Sequence, residues 1–112
     1  MSENEITKSI LEYLHWNKIF AWRQNTSPIY DTVTGGYRRM PAGSLKGVSD
    51  ILGCYKGKML AIECKTVKGK LSKHQKEFID NVNKAGGIGF VARNLEDVEK
   101  NLTTISKMSF SV

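Results

Sequence analysis

One stretch constrains the fold more than any other: residues 47–65, which read GVSDILGCYKGKMLAIECK. Two apolar runs flank Lys56-Gly57, a dipeptide that suits the two-residue loop of a β-hairpin. With that loop, the residue numbers of cross-strand partners add up to 113. Asp50 then lies directly opposite Glu63, with Cβ atoms about 5 Å apart.

The same register predicts where a third charged group lies. Side chains alternate along a strand, so Lys65 shares a face with Glu63. Asp50, Glu63 and Lys65 therefore converge at the end of the hairpin away from the turn. A loop one residue longer would break this arrangement, and Lys-Gly is a weaker turn signal than Asn-Gly.

Two half-buried carboxylates this close repel each other, and both stay ionised only if a cation lies between them. Oxygen ligands suit Mg²⁺ or Mn²⁺, and a metal-bound water is a nucleophile suited to phosphodiester hydrolysis. Lys65 beside such a metal can orient or activate the water, or neutralise a developing oxyanion.

The alternative is a hairpin whose charged end frays into solvent. The residues between the charges are apolar on both faces, which is typical of a strand buried between two layers. Burying charged groups at the end of such a strand costs free energy, so their presence indicates a functional role. The apolar residues are Ile51, Leu60 and Ile62 on one face, and Leu52, Met59 and Ala61 on the other.

Composition narrows the class of protein. A chain of 112 residues forms one domain with a modest core, and no apolar run is long enough to span a membrane. The polar, acidic start does not resemble a signal peptide. Cys54 and Cys64 fall on opposite faces of the hairpin and cannot bridge, which fits a reducing cytosol. The Cys and His spacings give no zinc site.

The formal net charge of +6 would suit a polyanionic partner. The basic residues flank the hairpin on both sides, as a nucleic-acid cleft requires. A solvated lysine-rich loop is the alternative, and for Lys68 and Lys70 both interpretations stay open. The flanking residues are Arg38, Arg39 and Lys46 before the hairpin, and Lys65, Lys68, Lys70, Lys73 and Lys76 at its end and beyond.

The N-terminus predicts a helix that runs to about Asn17. Ser2 and Glu5 have the spacing of a capping box. Glu3 lies three residues before Ile6, the first residue of the apolar stripe, and therefore points inward from the first turn. A first-turn acid favoured by the helix dipole is the alternative explanation of Glu3.

A second helix begins after Ser72 and ends near Gly86-Gly87. Gln75 lies three residues before the apolar Phe78 and faces the same way, toward Lys65. Ser72 and Gln75 also form a capping box, so a purely structural role for Gln75 is equally open.

The remaining segments complete a mixed α/β pattern. A short strand covers 19–23, a second hairpin covers 29–40, and a strand over 88–93 should run parallel to the one before it. Asn94 caps a last helix from 95 to about 102. Residues 103–112 carry no strong signal and are expected to form a loose tail or an edge strand.

Gly47-Val48-Ser49-Asp50 followed by Glu63-Cys64-Lys65 resembles the signature of PD-(D/E)XK nucleases. The chain is most similar to the VRR-NUC branch, in its stand-alone phage and bacterial form, and its layout resembles archaeal Holliday-junction resolvases. The resemblance covers residues 2 to about 100. Ser49 stands where the motif's name has Pro, and the namesake Val-Arg-Arg appears only as Val91-Ala92-Arg93.

The resemblance implies a restriction-endonuclease-like αβββαβ core, a mixed sheet flanked by helices with an inserted β-hairpin. It implies one nuclease domain over 1–102, with a tail over 103–112. Its activity would be metal-dependent DNA cleavage, with Mg²⁺ or Mn²⁺ on Asp50, Glu63 and the backbone carbonyl of Cys64. Lys65 would position or activate water, and Glu3 and Gln75 would complete the site. The expected DNA contacts are Arg23, Ser27, Arg38, Arg39, Lys46, Lys68 and Lys73.

The substrate and assembly follow from the family analogy. Branched DNA of the Holliday-junction kind needs two active sites, so a homodimer is expected in a bacterial or phage-infected cytosol. A flap, single-strand or nicking nuclease, a DNA-binding module without chemistry, and an RNA substrate are the alternatives. Tyr30 and Tyr37 beside Arg38 and Arg39 suit a grip on nucleic acid, and a dimer contact would explain them equally well.

Overall fold

A computed structural model describes residues 1–24, 30–31, 36–37 and 45–109, and for 30–31, 36–37 and 104–109 it describes the backbone alone. The helices are α1 (Glu3–Trp16), α2 (Lys73–Lys84) and α3 (Leu95–Ser109). The strands are β1 (Phe20–Arg23), β2 (Tyr30–Asp31), β3 (Gly36–Tyr37), β4 (Ile51–Tyr55), β5 (Lys58–Cys64) and β6 (Ile88–Ala92). No helix in these ranges is both long and apolar enough to cross a membrane.

Four strands form one sheet in the order β1-β4-β5-β6. The β1–β4 and β4–β5 pairs are antiparallel, and β6 runs parallel to β5. The parallel strands β5 and β6 are connected through α2, as expected for two strands separated by a predicted helix. The expected fold class is confirmed: a mixed sheet flanked by helices, consistent with a restriction-endonuclease-like core.

The register of the β4–β5 hairpin is the one that the turn predicted. Every observed pair, from Tyr55 opposite Lys58 to Ile51 opposite Ile62, has residue numbers that add up to 113. Lys56 and Gly57 have φ angles of 49° and 81°. Positive φ at both loop residues is the hallmark of the turn that matches the twist of a hairpin.

The sheet is covered on both faces. On one face, Ile51 and Ile62 join the apolar stripes of α1 and α3 in the larger core cluster. On the other face, Ala61 packs with Phe78 and Val82 of α2. The prediction of two apolar faces holds except at Met59, which is 45% exposed, because α2 packs mainly on the middle of β5 and on β6.

The end of the chain differs from the expectation. The last helix was expected to end near Leu102, but α3 continues to Ser109. Most of 103–112 is therefore neither a loose tail nor an edge strand. The reason lies in the sequence: the step of four from Val98 to Leu102 is followed by a step of three to Ile105, which continues the helical apolar period.

The inserted hairpin is present as a separate two-stranded sheet. Tyr30 pairs with Tyr37, and Asp31 pairs with Gly36 in antiparallel register. The other residues of the predicted 29–40 hairpin lie outside the described residues.

Candidate active site

Asp50 lies just before β4 and continues the sheet pairing at that end. The backbone N–H of Gln24 donates to the Asp50 carbonyl at 2.7 Å, which extends the β1–β4 register by one pair. The carboxylate oxygen Oδ2 of Asp50 accepts the backbone N–H of Cys64 at 2.8 Å. The Asp50 side chain is therefore turned across the hairpin toward the end of β5, where Glu63 lies.

Gly47 sets how closely the segment before β4 approaches α2. Its φ is +73°, and a Cβ atom built there would lie 2.3 Å from the backbone carbon of His74 and 2.5 Å from the backbone nitrogen of Gln75. Only glycine fits both the dihedral angle and the space. This contact places Asp50 beside the first turn of α2.

Glu63 is the most enclosed charged residue of the hairpin, with 2% of its surface exposed. Its Oε1 accepts the side-chain amide of Gln75 at 3.1 Å and lies 3.8 Å from Nζ of Lys65. Its Oε2 is buried and has no hydrogen-bond partner among the described residues.

Burial raises the pKa of Glu63 to about 8, and the negative charge of Asp50 adds to the rise. The Lys65 ammonium acts in the opposite direction. The pair therefore holds a proton near neutral pH when no cation is bound. This is the electrostatic conflict that the opposed carboxylates predicted.

Lys65 links the hairpin to the first helix. Its Nζ lies 3.8 Å from Oε1 of Glu63 and 3.8 Å from Oε1 of Glu3. Glu3 is half exposed and Lys65 is largely buried. Glu5, in contrast, accepts hydrogen bonds from Ser2 in the predicted capping box. The acid that reaches the site from α1 is therefore Glu3.

Gln75 makes both a capping contact and a contact with Glu63. Its Oε1 accepts the backbone N–H of Ser72 at 2.9 Å, which is the capping-box contact. Its Nε2 donates to Glu63 at 3.1 Å. The two ends of one amide thus hold the helix terminus and a carboxylate of the candidate site.

The residues present fit a divalent cation. The unpartnered, buried Oε2 of Glu63 is an acceptor that an ion would satisfy, and the neighbouring carboxylate of Asp50 supplies a second hard oxygen. The described chain holds no cluster of three or more His, Cys, Asp or Glu side chains suited to a metal. Backbone, water or substrate oxygens would therefore complete the coordination, as is usual for Mg²⁺.

The thiol of Cys64 does not belong to this donor set. Burial raises the pKa of Cys64 to about 12, although a hydrogen bond with Thr7 partly opposes the rise. A protonated thiol is a poor metal ligand. The predicted contribution of Cys64 through its backbone carbonyl remains a prediction. Cys54 is exposed while Cys64 is buried, and both are free, as the hairpin register required.

The predicted DNA-contacting residues are only partly placed by the structure. Arg23 is exposed, and its guanidinium donates to the side chain of Asn4, next to Glu3 on the first turn of α1. Lys46, Lys68 and Lys73 are exposed. Ser27, Arg38 and Arg39 lie outside the described residues.

Arg93 has a role that the sequence did not reveal. Its Nη1 donates to the backbone carbonyls of Thr66, Val67 and Gly69, at 3.3 Å for Val67 and 2.8 Å for Gly69. One guanidinium thereby fixes the loop that follows Lys65 and carries Lys68. The sequence signal was that Arg93 is the last residue of a strand predicted to be parallel to the one that leads to Lys65, within Val91-Ala92-Arg93.

Comparisons with known proteins give one distant relative of the chain. No family model matches the sequence. The chain is 32% identical over 80 residues to a protein of Mycoplasmopsis pulmonis (strain UAB CTIP) named Holliday junction resolvase RecU. The match takes in 60% of this chain and 51% of the relative, so the chain spans about half the length of that protein.

Proposed function

We propose that this chain is a metal-dependent DNA endonuclease of the PD-(D/E)XK superfamily, of the VRR-NUC type. The single observation that carries the proposal is the carboxylate pair of Glu63, which is buried, and Asp50, which is half-buried. One oxygen of this pair has no partner in the described structure, and Lys65 lies at its edge. A stable fold alone has no use for such a pair, because enclosed like charges are unfavourable.

Each residue of the site has a distinct task. Asp50, Glu63 and the Cys64 backbone carbonyl would hold Mg²⁺ or Mn²⁺, which when bound polarises a phosphate and acidifies a water molecule. Gln75 orients Glu63 through the 3.1 Å hydrogen bond. The Lys65 ammonium lies beside the carboxylates, where it can orient the attacking water or stabilise negative charge that develops on the phosphate.

Glu3 acts on Lys65 rather than on the substrate. It provides an acidic neighbour 3.8 Å from Nζ, on the side of Lys65 that faces α1. Opposite charges at this distance attract each other. Glu3 thereby helps to hold the Lys65 ammonium in place beside the carboxylates.

DNA is the proposed partner. The net charge of +6 favours a polyanion, and the relative is named as an enzyme that resolves DNA junctions. Arg23, Lys46, Lys68 and Lys73 would bind phosphates, together with Ser27, Arg38 and Arg39. These contacts would position the protein on the DNA backbone without recognising the base sequence.

Branched DNA is the proposed substrate, and a homodimer is the proposed assembly. The relative's name supports the junction. Two symmetric cuts in a junction need two sites, whereas the described part of the chain offers one. Light scattering of the purified protein should give the mass of two chains. A monomer at working concentration would instead favour a flap, single-strand or nicking nuclease.

A panel of labelled substrates tests the function. A four-way junction, a 5′ flap and a plain duplex are incubated with Mg²⁺, Mn²⁺ or EDTA, using the wild type, Lys65→Ala and Lys58→Ala. Lys58 is an exposed lysine at the other end of β5 and serves as the matched control. We expect metal-dependent paired cuts in the junction that Lys65→Ala abolishes and Lys58→Ala retains.

The other outcomes are equally informative. Cuts confined to the flap or the duplex would retain the chemistry and overturn the junction as substrate. Binding without cleavage of any substrate would contradict the nuclease and favour a DNA-binding module. Equal cleavage by Lys65→Ala and the wild type would contradict the assignment of Lys65.

A further inference from the structure

Two large aromatic side chains are exposed on the edge strand β1. Phe20 is 71% exposed and Trp22 is 40% exposed. Their ring centroids lie 5.2 Å apart at an interplanar angle of 48°, so the rings contact each other in a tilted arrangement. This aromatic pair, Phe20 and Trp22, takes no part in the cores on either face of the sheet. Adjoining exposed apolar side chains of this size indicate a binding surface.

The aromatic pair lies on the same face of the sheet as the carboxylates. Trp22 is directly opposite Leu52, and Leu52 is directly opposite Ala61. Directly opposed residues point to the same face, and residues two apart on a strand do so as well. Trp22, Ala61 and Glu63 therefore share one face, and Phe20 shares it through its own alternation on β1.

The register also gives the offset, along the strand direction, between the aromatic pair and the row that contains Asp50. The row of Asp50 continues on β1 at Gln24, whose N–H donates to the Asp50 carbonyl. Trp22 is two residues from that row and Phe20 is four, which corresponds to about 7 and 13 Å along the strand. These distances are about two and four steps of the 3.4 Å rise per base of a DNA strand.

The polar atom of the indole is already occupied. Nε1 of Trp22 donates to Oε1 of Gln24 at 3.2 Å. This bond uses the only donor of the indole and ties the ring to the residue beside Asp50. The exposed part of Trp22, like all of the Phe20 ring, can therefore offer only its aromatic surface. Such a surface recognises a base by stacking, whichever base it is.

The position and charge of the pair favour a nucleotide over a second copy of this chain. A second copy seated on the pair would cover the approach to Asp50 and Glu63 along the same face of the sheet. The chain as a whole carries a charge of +6, which attracts a polyanion and repels a second copy of the same basic chain. Exposed aromatic rings on a basic protein are the usual platform for single-stranded nucleic acid.

We infer that Phe20 and Trp22 form a stacking platform for an unpaired nucleotide next to the phosphate bound at the carboxylates. The inference rests on the proposed nuclease function and specifies its substrate. The preferred DNA has a single-stranded or opened nucleotide beside the cut, as at a branch point or flap. Bases inside an uninterrupted duplex are already stacked on each other and cannot reach the rings.

The test measures DNA binding in EDTA, so that it does not depend on cleavage. Affinities for a thymidine oligonucleotide and for a duplex of equal length are compared for the wild type, Trp22→Leu and Trp16→Leu. Trp16 is the matched control: it is the other tryptophan, it is 88% exposed, and it lies on α1, which packs on the opposite face. Trp22→Phe retains a ring and tests whether stacking carries the effect.

We expect Trp22→Leu to weaken single-strand binding by about 10-fold, the effect of losing one base–aromatic stack. Duplex binding should change by less than about twofold, since stacked bases do not use the platform. Trp16→Leu should change neither affinity, and Trp22→Phe should retain most of the single-strand affinity. An equal loss for both DNAs, or no loss for either, would overturn the inference.

Fluorescence locates the contact directly. In a Trp16→Phe variant all tryptophan emission comes from Trp22, and the oligonucleotide should quench it. In a Trp22→Phe variant all emission comes from Trp16 and should stay unchanged. Trp22 emission that depends on protein concentration without DNA would show that a second copy covers the pair, and would overturn the inference.

The two proposals fail separately. Cleavage by the wild type without any stacking effect at Trp22 would remove the platform and leave the nuclease intact. If the protein cuts no substrate but still prefers single-stranded DNA in a way that depends on Trp22, the stacking platform is supported and the nuclease proposal is contradicted.

Discussion

The side-chain amide of Gln75 donates to Oε1 of Glu63 at 3.1 Å, while its oxygen accepts the backbone N–H of Ser72 at 2.9 Å. One side chain thus joins the first turn of α2 to the end of β5. The start of the helix and the orientation of the buried carboxylate are therefore coupled, and suitable variants can separate them.

Gln75→Glu and Ser72→Ala separate these two roles. Glutamate still accepts the capping bond, but it cannot donate to Glu63, and it adds a negative charge beside a carboxylate pair. Cleavage should fall by at least about 10-fold while the helix cap persists. Ser72→Ala should lower the free energy of unfolding by about 1 kcal/mol and leave the cleavage rate of the folded protein nearly unchanged. If Gln75→Glu and Ser72→Ala reduce the cleavage rate equally, Gln75 affects cleavage only by capping α2.

Glu63 should make the metal-free protein less stable as the pH rises. The pKa of Glu63 is raised to about 8 in the folded protein, from 4.5. Between those values the folded state holds a proton that the unfolded state has lost. Its contribution to stability is therefore fully present below about pH 4.5 and is lost as the pH rises through about 8. Urea unfolding in EDTA at pH 5.5, 7 and 8.5 measures this trend.

Glu63→Gln is the control for the pH dependence, because the amide does not titrate. As the pH rises, the unfolding free energy of the wild type should decrease relative to that of Glu63→Gln. A bound divalent cation must displace the proton, so the apparent Mn²⁺ affinity of the wild type should increase up to about pH 8. A pH-independent difference would contradict the raised pKa.

Gly47→Ala should impair both stability and activity. A Cβ atom at Gly47 would lie within 2.5 Å of the backbone of α2, at a φ of +73°. The loop would have to move away from α2 and displace Asp50. We expect a loss of more than about 1 kcal/mol in unfolding free energy and slower cleavage. Gly57→Ala is the control: its φ is also positive, at +81°, but nothing lies within 4 Å, so it should lose stability and retain the cleavage rate of the folded protein.

Arg93→Lys should behave like a loss of the side chain, although the charge is kept. All three carbonyls, of Thr66, Val67 and Gly69, are bound by Nη1 of Arg93, and a lysine ammonium is a more strongly hydrated charge on a flexible stem that does not hold this position as firmly. Hydrogen exchange at the Gly69 amide should become faster, and both DNA affinity and cleavage should decrease. Arg93→Met provides the comparison without the charge. If Arg93→Lys matches the wild type and only Arg93→Met fails, the charge rather than the clamp is what matters.

The geometry of the hairpin could be predicted because it depends on local chemistry. The length of the Lys56-Gly57 loop fixes the register, and the register brings Asp50 beside Glu63. The apolar period of α1 predicted that Glu3 points inward. The spacing of three residues between Gln75 and Phe78 predicted that the Gln75 side chain faces the site. Each of these inferences needs only the spacing of a few neighbouring residues.

The remaining features depend on contacts between segments that are distant in the sequence. Arg93 lies 24–27 positions from the carbonyls that it binds, and no local pattern indicates that contact. Whether Met59 and Trp22 are exposed depends on how far α2 covers the sheet. Short apolar strands do not contain that information, since a buried strand and one that carries a binding surface have similar residues.

Replacement of the Asp50 carboxylate, with the fold left in place, tests the proposed active site most directly. Asp50→Ala removes the carboxylate, and Asp50→Asn retains an oxygen that can accept the Cys64 N–H. Cleavage of labelled DNA is measured in Mn²⁺, and binding of the same DNA is measured in EDTA. We expect both variants to bind as well as the wild type and to cleave at least about 100-fold more slowly. Cleavage by Asp50→Asn and Asp50→Ala at the wild-type rate would contradict the assignment of the active site.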